Sequence, residues 1–433
     1  MLFQLNKYHA LTKHSHNSVR INPNRVDWNN PPNRFKFYPN NFKRISLNQE
    51  EDVFDFLYLI AGITAKKTYP GVEYYLRVNP SAGALYPNEI YFQVRNEKEF
   101  EDGIYHYEVG SSNLTLLKKL KENEGIESNL GFDNTYDGFI FLISSIYYRS
   151  SWKYKNRAFR YCLLDAGHLI GTMEASSYIY DKNIKTFFDF DKKSLNKLFS
   201  FDEKEFFTAC VVCFNKEHKK DVSPVHLELP LVDGTAHKEE FNLYEKNEVI
   251  KNAYEESLKL NHKNPNNNSL DLHLNKNYFK EIVLKRRSIR EFTKKSITKE
   301  QFECIYNMIS GHFTSDTDEN IDIFYVINRV ENMKMGLYKN KNILRIGEES
   351  KKAGYLCLEQ TLGSFSAVTF FFTTKSNNYQ EAYQKAGVIG QRLYLISNYL
   401  GIGCSGIGAY YDDEVCEFIK EQQMILYAMA IGN

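Results

Sequence analysis

The sequence predicts an α+β fold built as two similar halves within one chain of 433 residues. Three observations predict it. Stretches of helical and of strand periodicity follow one another along the chain. The order of those stretches in the first half recurs in the second. Short strings also recur at matching places in that order. Gly103-Ile104-Tyr105-His106-Tyr107 before Asn113-Leu114 parallels Gly336-Leu337-Tyr338-Lys339-Asn340 before Asn342-Ile343. Asp165-Ala166-Gly167-His168 falls in a helical stretch, as Lys385-Ala386-Gly387-Val388 does. A diverged duplication explains these matches. Chance matching in a biased composition is the alternative, and the shared order weighs against it.

Residues 1–40 are polar and rich in Asn and Pro, with Asn30-Pro31-Pro32-Asn33-Arg34 near their end, and read as an extended arm. Residues 50–63 place Val53, Phe56, Leu57, Leu59, Ile60 and Ile63 at helical spacing. Glu89 to Val94 alternates as a strand, and a hairpin-like stretch follows through Tyr105 and Tyr107. Phe139 to Tyr147 is apolar and rich in β-formers, Ala158 to Ile179 reads as one long helix, and Phe206 to Phe214 as a buried strand. A charged, irregular stretch comes next, centred on His262-Lys263-Asn264-Pro265-Asn266-Asn267-Asn268-Ser269, a linker by composition. Leu284 to Ile309 then covers an arginine motif and a helix. Phe324 to Asn328 and Val368 to Thr373 read as strands, Ala382 to Leu400 as a long helix, and Ile425 to Ile431 as a last strand. The expected organisation is an arm over 1–40, a first half over 41–220, a linker over 221–275 and a second half over 276–433.

The formal net charge is +1, from 55 basic and 54 acidic side chains, so no basic excess points to nucleic acid or an anionic membrane. No apolar run is long enough to span a bilayer as a helix. The start, Met1-Leu2-Phe3-Gln4-Leu5-Asn6-Lys7, lacks a long apolar stretch and does not read as a secretory signal. Seven scattered cysteines, most within apolar runs, fit a reduced, cytoplasmic protein.

Three segments carry chemistry. Arg286-Arg287-Ser288-Ile289-Arg290-Glu291-Phe292 puts guanidinium groups and a hydroxyl on one short stretch, which suits an anion. Taken alone it is a weak signal, and a solvated basic patch beside Lys294 and Lys295 is the favoured reading. Pro80-Ser81-Ala82-Gly83-Ala84-Leu85-Tyr86-Pro87, preceded by Arg77, is a small-residue loop whose backbone can approach a planar ring closely. Its plainer explanation is an ordinary loop before a strand. Gly401-Ile402-Gly403-Cys404-Ser405-Gly406-Ile407-Gly408-Ala409 is a glycine-rich loop after the long C-terminal helix.

Together these segments resemble the FMN-binding parts of the nitroreductase superfamily. The intact P-S-A-G-A-L-Y-P string is similar to that of its azoline-dehydrogenase branch, the SagB-type oxidases. The N-terminal segments Thr12-Lys13-His14-Ser15, Asp27-Trp28 and Phe35-Lys36-Phe37-Tyr38 resemble the tandem members of that branch. The resemblance implies two nitroreductase-like halves, each a mostly antiparallel sheet packed by helices, fused as a pseudo-dimer. In homodimeric relatives the R-x-S-x-[RK] segment comes from one subunit and the P-S loop from the other. The implied FMN ligands are therefore Arg286, Ser288 and Arg290 from the second half and Pro80, Ser81, Ala82 and Gly83 from the first. Ile407, Gly408 and Ala409 correspond to the place where a backbone N–H meets flavin N5. Asn41 to Leu47 carries no R-x-S-x-R, and nothing before Phe324 matches P-S-A-G, so one FMN per chain is expected. Many relatives place basic phosphate ligands after the last strand. Gly432-Asn433 supply none, which leaves Arg392 and Arg160 as candidate cations.

Tyr148 to Tyr161, leading to Asp165-Ala166-Gly167-His168, also resembles the azoline-dehydrogenase branch. There a Lys-Tyr pair is implicated in proton removal, and Lys153-Tyr154 matches it. Aromatising an azoline needs a base as well as a hydride acceptor, and a lysine becomes a base when burial or nearby cations lower its pKa. Arg149, Lys155 and Arg157 are such cations. A surface basic loop anchored by Trp152 is the alternative. His168 reads as a packed helix residue, Cys210-Val211-Val212-Cys213 as a buried β-run and not a metal site, and His9, His14 and His16 as solvated or hydrogen-bonded; no metal is expected.

The expected function is FMN-dependent oxidoreduction, a dehydrogenase or oxidase of a heterocyclic or peptide-derived substrate. Two other functions stay open: NAD(P)H-dependent reduction of nitro compounds or quinones, and flavin binding or sequestration without turnover. Self-association beyond the pseudo-dimer also stays open.

Overall fold

The computed structural model describes residues 2–21, 26–29, 31–69, 72–201, 203–230, 232, 246–260, 263–267 and 273–433. It opens with α1 (Leu2–Leu11) and α2 (His16–Ile21), then β1 (Arg44–Ser46), α3 (Asp52–Ala61), β2 (Ile63–Tyr69) and β3 (Val72–Arg77). A 3-10 turn at Ala82–Ala84 precedes β4 (Asn88–Arg95), β5 (Gly103–Glu108), β6 (Asn113–Lys119), α4 (Ile126–Leu130) and β7 (Asn134–Ile146). Next come α5 (Tyr148–Tyr154), α6 (Ala158–Ile179), β8 (Asn183–Phe187), α7 (Lys192–Leu198) and β9 (Glu205–Lys219). Three helices follow: α8 (Glu248–Glu256), α9 (Lys276–Lys285) and α10 (Lys299–Ile309). The rest runs β10 (Asp322–Ile327), β11 (Gly336–Lys339), β12 (Asn342–Ile346), α11 (Ser350–Leu356), α12 (Thr361–Phe365) and β13 (Val368–Thr374). It ends with α13 (Tyr379–Tyr399), β14 (Gly403–Ile407), α14 (Asp412–Ile419) and β15 (Met424–Gly432).

The chain divides into two compact units. One comprises Val26–Lys280 with Phe313–Asp318, the other Met1–Arg25 with Glu281–His312 and Glu319–Asn433. The first unit is built on a seven-stranded sheet of order β1-β6-β5-β4-β7-β9-β8, antiparallel throughout. Its central strands are apolar on both faces because helices and loops cover both; every residue of β4 except Arg95 is buried. The long helix α6 is buried along almost its whole length. Its hydroxyls are satisfied on α3: Thr172 donates to the Ile60 carbonyl and Ser176 to the Phe56 carbonyl, both at 2.8 Å.

The second unit has a six-stranded antiparallel sheet of order β12-β11-β10-β13-β15-β14. Read strand for strand, this is the order β6-β5-β4-β7-β9-β8, with α13 at the place of α6. The α+β class and the pairing of two similar antiparallel sheets thus stand as expected. The seven-stranded sheet differs by β1, which adds outside β6. Helix α10 begins at a capping box in which Thr298 accepts from Gln301 N–H and the Gln301 side chain accepts from Thr298 N–H.

As expected, Leu284 to Ile309 holds the arginine motif and, downstream of it, the helix α10. Three expectations need correction. Residues 2–21 are largely helical, not extended; the Pro- and Asn-rich composition that suggested an arm is concentrated after Ile21. The stretch expected as linker contains α8, capped by the Asn247 side chain accepting from Ile250 N–H. Within that linker His262, Asn268 and Ser269 lie outside the described residues. Finally, Gly403 to Ile407 form the strand β14, not a loop.

Candidate functional site

In the first unit the Pro80–Pro87 loop is held in an unusual shape. Gly83 (φ +65°), Ala84 (φ +54°) and Tyr86 (φ +48°) all take left-handed backbone conformations. For non-glycine residues this costs roughly 1–2 kcal/mol each, so the surroundings must hold the loop there. Asp165 of α6 supplies much of that hold. Ser81 Oγ donates to Asp165 Oδ2 at 2.5 Å, and Ala82 N–H donates to Asp165 Oδ1 at 3.2 Å. The same Ser81 Oγ accepts from Tyr86 N–H at 2.9 Å. Burial pushes the Asp165 carboxyl up to about 7, although both donors pull the other way.

Buried charges fix the far end of the loop. Arg77 N–H donates to Tyr86 Oη at 2.9 Å, and the Arg77 guanidinium lies 4.6 Å from the centre of the Tyr86 ring. Arg149, fully buried on α5, donates to the Tyr86 carbonyl at 3.1 Å, to the Asn33 carbonyl at 2.9 Å and to Glu89 Oε1 at 2.5 Å. Glu89 also meets His106 Nε2 at 2.9 Å. Burial alone would raise the Glu89 pKa, but Arg149, His106 and Arg77 outweigh it and hold it at about 2.

The helix that buries Arg149 carries Lys153 one turn later, on the same side. Lys153 and Tyr154 are both partly buried, and Tyr154 packs its ring 4.5 Å from that of Tyr161. Both reach the exposed Gly83. A Cβ placed on Gly83 would lie 2.7 Å from Tyr154 Oη and 3.3 Å from Lys153 Nζ. Two segments chosen separately from the sequence, P-S-A-G and Lys-Tyr, therefore meet. Arg149 is neutralised by Glu89, and Lys155 is exposed with its Nζ donating to the Trp152 carbonyl at 3.2 Å.

In the second unit the arginine segment packs on α13 and β14. Ser288 Oγ lies 2.8 Å from Tyr394 Oη, which also accepts from Gly406 N–H at 2.6 Å. The buried Arg286 guanidinium sits 5.2 Å from the centre of the Tyr394 ring. Ile289 N–H donates to the Cys404 carbonyl at 3.2 Å. Tyr394 thus binds the arginine segment to the glycine-rich strand. The glycines of β14 are there for space: a Cβ on Gly403 would meet the Ile289 side chain and one on Gly406 the Tyr427 hydroxyl. Arg290 is exposed; Ile407 is buried, and Gly408 and Ala409 follow the strand with partial exposure.

The two candidate phosphate cations are buried. Arg392 donates to the carbonyls of Gly311 and His312 at 2.8 and 3.2 Å, just past the end of α10, and Arg160 lies within α6. Cys210 and Cys213 are buried on β9 three residues apart, which points them to opposite faces of the sheet. Sequence reasoning missed Asp165 as the loop anchor, and missed Tyr394 altogether.

No protein-family profile matches the chain. A protein of Methanocaldococcus jannaschii, provisionally named a nitroreductase, is 25% identical over 183 residues, spanning 35% of this chain and 89% of its own. A crystal structure from Anabaena variabilis, of a protein provisionally described as a nitroreductase, superposes on 99% of this chain and 99% of its own. Its TM-score is 0.79 at 22% identity. The nitroreductase fold therefore extends over the whole chain.

Proposed function

We propose that the protein is an FMN-dependent oxidoreductase of the nitroreductase type and of its azoline-dehydrogenase branch, acting as a dehydrogenase or oxidase on a heterocyclic or peptide-derived substrate. The observation that carries this reading is the meeting of Lys153 and Tyr154 with Gly83. A proton-transfer pair stands over the small-residue loop to which the resemblance assigns the flavin. The donor set fits FMN in chemistry: Arg286 and Arg290 for anionic oxygens, Ser288 as a hydroxyl, and at Pro80, Ser81, Ala82 and Gly83 a loop of small residues whose backbone a planar ring can approach. Ile407, Gly408 and Ala409 complete the assigned ligands. FMN, when bound, supplies the hydride acceptor. Lys153 takes the substrate proton, Tyr154 holds the lysine and the substrate in register, and Asp165 keeps the loop in shape beneath them.

The test is turnover of an azoline-containing peptide by purified protein and by Lys153→Ala and Tyr154→Phe. Loss of turnover by about 10²-fold or more in Lys153→Ala, with flavin still bound, is the expected result for a missing general base. Unchanged turnover in Lys153→Ala would sink the assignment. NAD(P)H oxidation with a quinone acceptor, unaffected by either substitution, would favour a reductase in its place.

A further inference from the structure

The six-stranded sheet has an edge that its sister sheet covers. In the seven-stranded sheet, β1 lies along the outer side of β6, with Arg44, Ile45 and Ser46 opposite Thr115, Leu114 and Asn113. The matching strand in the other sheet is β12. Among the described residues β12 pairs only with β11. It is also apolar and open to solvent: Ile343 is 48%, Leu344 47% and Ile346 62% exposed. Native sheets usually blunt such an edge with charges, proline or a covering segment. The only charged side chain within β12, Arg345, is turned to its own Glu349 at 2.6 Å.

We propose that β12 is a self-association site at which it pairs antiparallel with β12 of a second copy of the chain. The sequence of the edge is self-complementary about a twofold axis between Leu344 and Arg345. Setting Leu344 opposite the copy's Arg345 sets Ile343 opposite its Ile346 and Lys341 opposite its Glu348. The β-bulge at Leu344 puts Ile343 and Ile346 on one face of β12, so both aliphatic pairs fall on that face of the joined sheet, and each end receives an opposite-charge pair. Lys341 and Glu348 are both exposed; within the chain Lys341 donates to Asn307 Oδ1 at 3.1 Å and Glu348 accepts from Ser350, contacts that the pairing exchanges for the copy's charges. The second copy supplies what β1 supplies to β6: backbone pairing for the outer side of the hairpin, with cover for three aliphatic side chains. Two short strands bury much less than the ~1,600 Å² of a standard interface, so the dimer is weak.

Sedimentation velocity from about 1 to about 500 µM chain reads this directly. The expected result is a concentration-dependent monomer–dimer equilibrium that is lost in Ile343→Lys/Ile346→Lys. The register is tested by charge reversal at two exposed positions. Lys341→Glu and Glu348→Lys each weaken the dimer several-fold, and the two together restore it. A monomer across the whole range overturns the proposal and leaves a different protein as the occupant of the edge. A dimer that survives the double lysine substitution, or a charge pair that is not restored, overturns the β12 pairing.

Discussion

At the residue scale, the Pro80–Pro87 loop depends on one carboxyl. Asp165 accepts from Ser81 and Ala82, yet burial favours its neutral form and pushes it up to about 7. The linkage has a definite sign. The unfolded carboxyl ionises near 3.8, so between about 4 and 7 the unfolded chain has lost a proton that the folded chain keeps. Asp165 therefore makes the fold progressively less stable as pH rises through that window, and the loss persists above it. Glu89 acts in a separate window with the opposite sign. Held at about 2 against an ordinary 4.5, it contributes stability that is present above 4.5 and disappears as pH falls toward 2. Urea titrations of wild type and Asp165→Asn at pH 4 to 8 should separate the two. The substitution should flatten the stability loss between about pH 4 and 7 and leave the acid limb unchanged. An identical slope in both proteins would show that Asp165 ionises as freely in the fold as out of it. The sequence made the loop itself legible, because P-S-A-G-A-L-Y-P is a contiguous string. The anchor was hidden although Asp165-Ala166-Gly167-His168 stood out as a repeat. Its bond to Ser81 closes 84 residues of chain, and no local pattern encodes that.

At the element scale, legibility followed periodicity. Helix α6 falls on the residues read as helical, Ala158–Ile179, because apolar residues recur through its whole length and no Pro interrupts them. The central strands came through for the same reason. The hairpin of β2 and β3 was invisible: Ile63–Tyr69 reads Ile-Thr-Ala-Lys-Lys-Thr-Tyr, with its outer half exposed and no apolar alternation. Strand β14 was misread as a loop because glycine disfavours strands, whereas here Ile289 and Tyr427 leave no room for a Cβ. What joins that strand to the arginine segment is Tyr394, whose oxygen meets both Ser288 Oγ and Gly406 N–H. Removing only that oxygen, in Tyr394→Phe, leaves the ring beside Arg286 but strands a partly buried backbone donor. The expected cost is about 1–3 kcal/mol in urea unfolding, with FMN affinity falling alongside. A variant as stable as the parent would mean that water replaces the tyrosine oxygen, and that the bridge between the two segments carries little energy.

At the scale of the whole molecule, two sheets with one strand order have kept their architecture while their loops diverged. Strand for strand, β6-β5-β4-β7-β9-β8 and β12-β11-β10-β13-β15-β14 are the same path. Such equivalence normally goes with two equivalent sites, but the chemistry has not been kept in duplicate. The small-residue loop before β4, with its three left-handed residues, has no counterpart string before β10. The R-x-S-x-R segment before α10 has none before α3, where Asn41 to Leu47 stand. At the helix position equal to Asp165, the second unit has Lys385. That lysine is buried against Glu381 at 2.9 Å and donates to the Glu319 carbonyl in the loop before β10, a different network. Each unit thus carries one of the two segments that the proposed flavin reading uses and lacks the other. The prediction is a stoichiometry of about one FMN per chain from the visible spectrum of purified protein, with Arg286→Ala and Ser81→Ala each weakening that one site. Binding near two per chain, with each substitution affecting only one of them, would mean that each half carries a complete site. Either substitution leaving affinity untouched would remove its segment from the flavin.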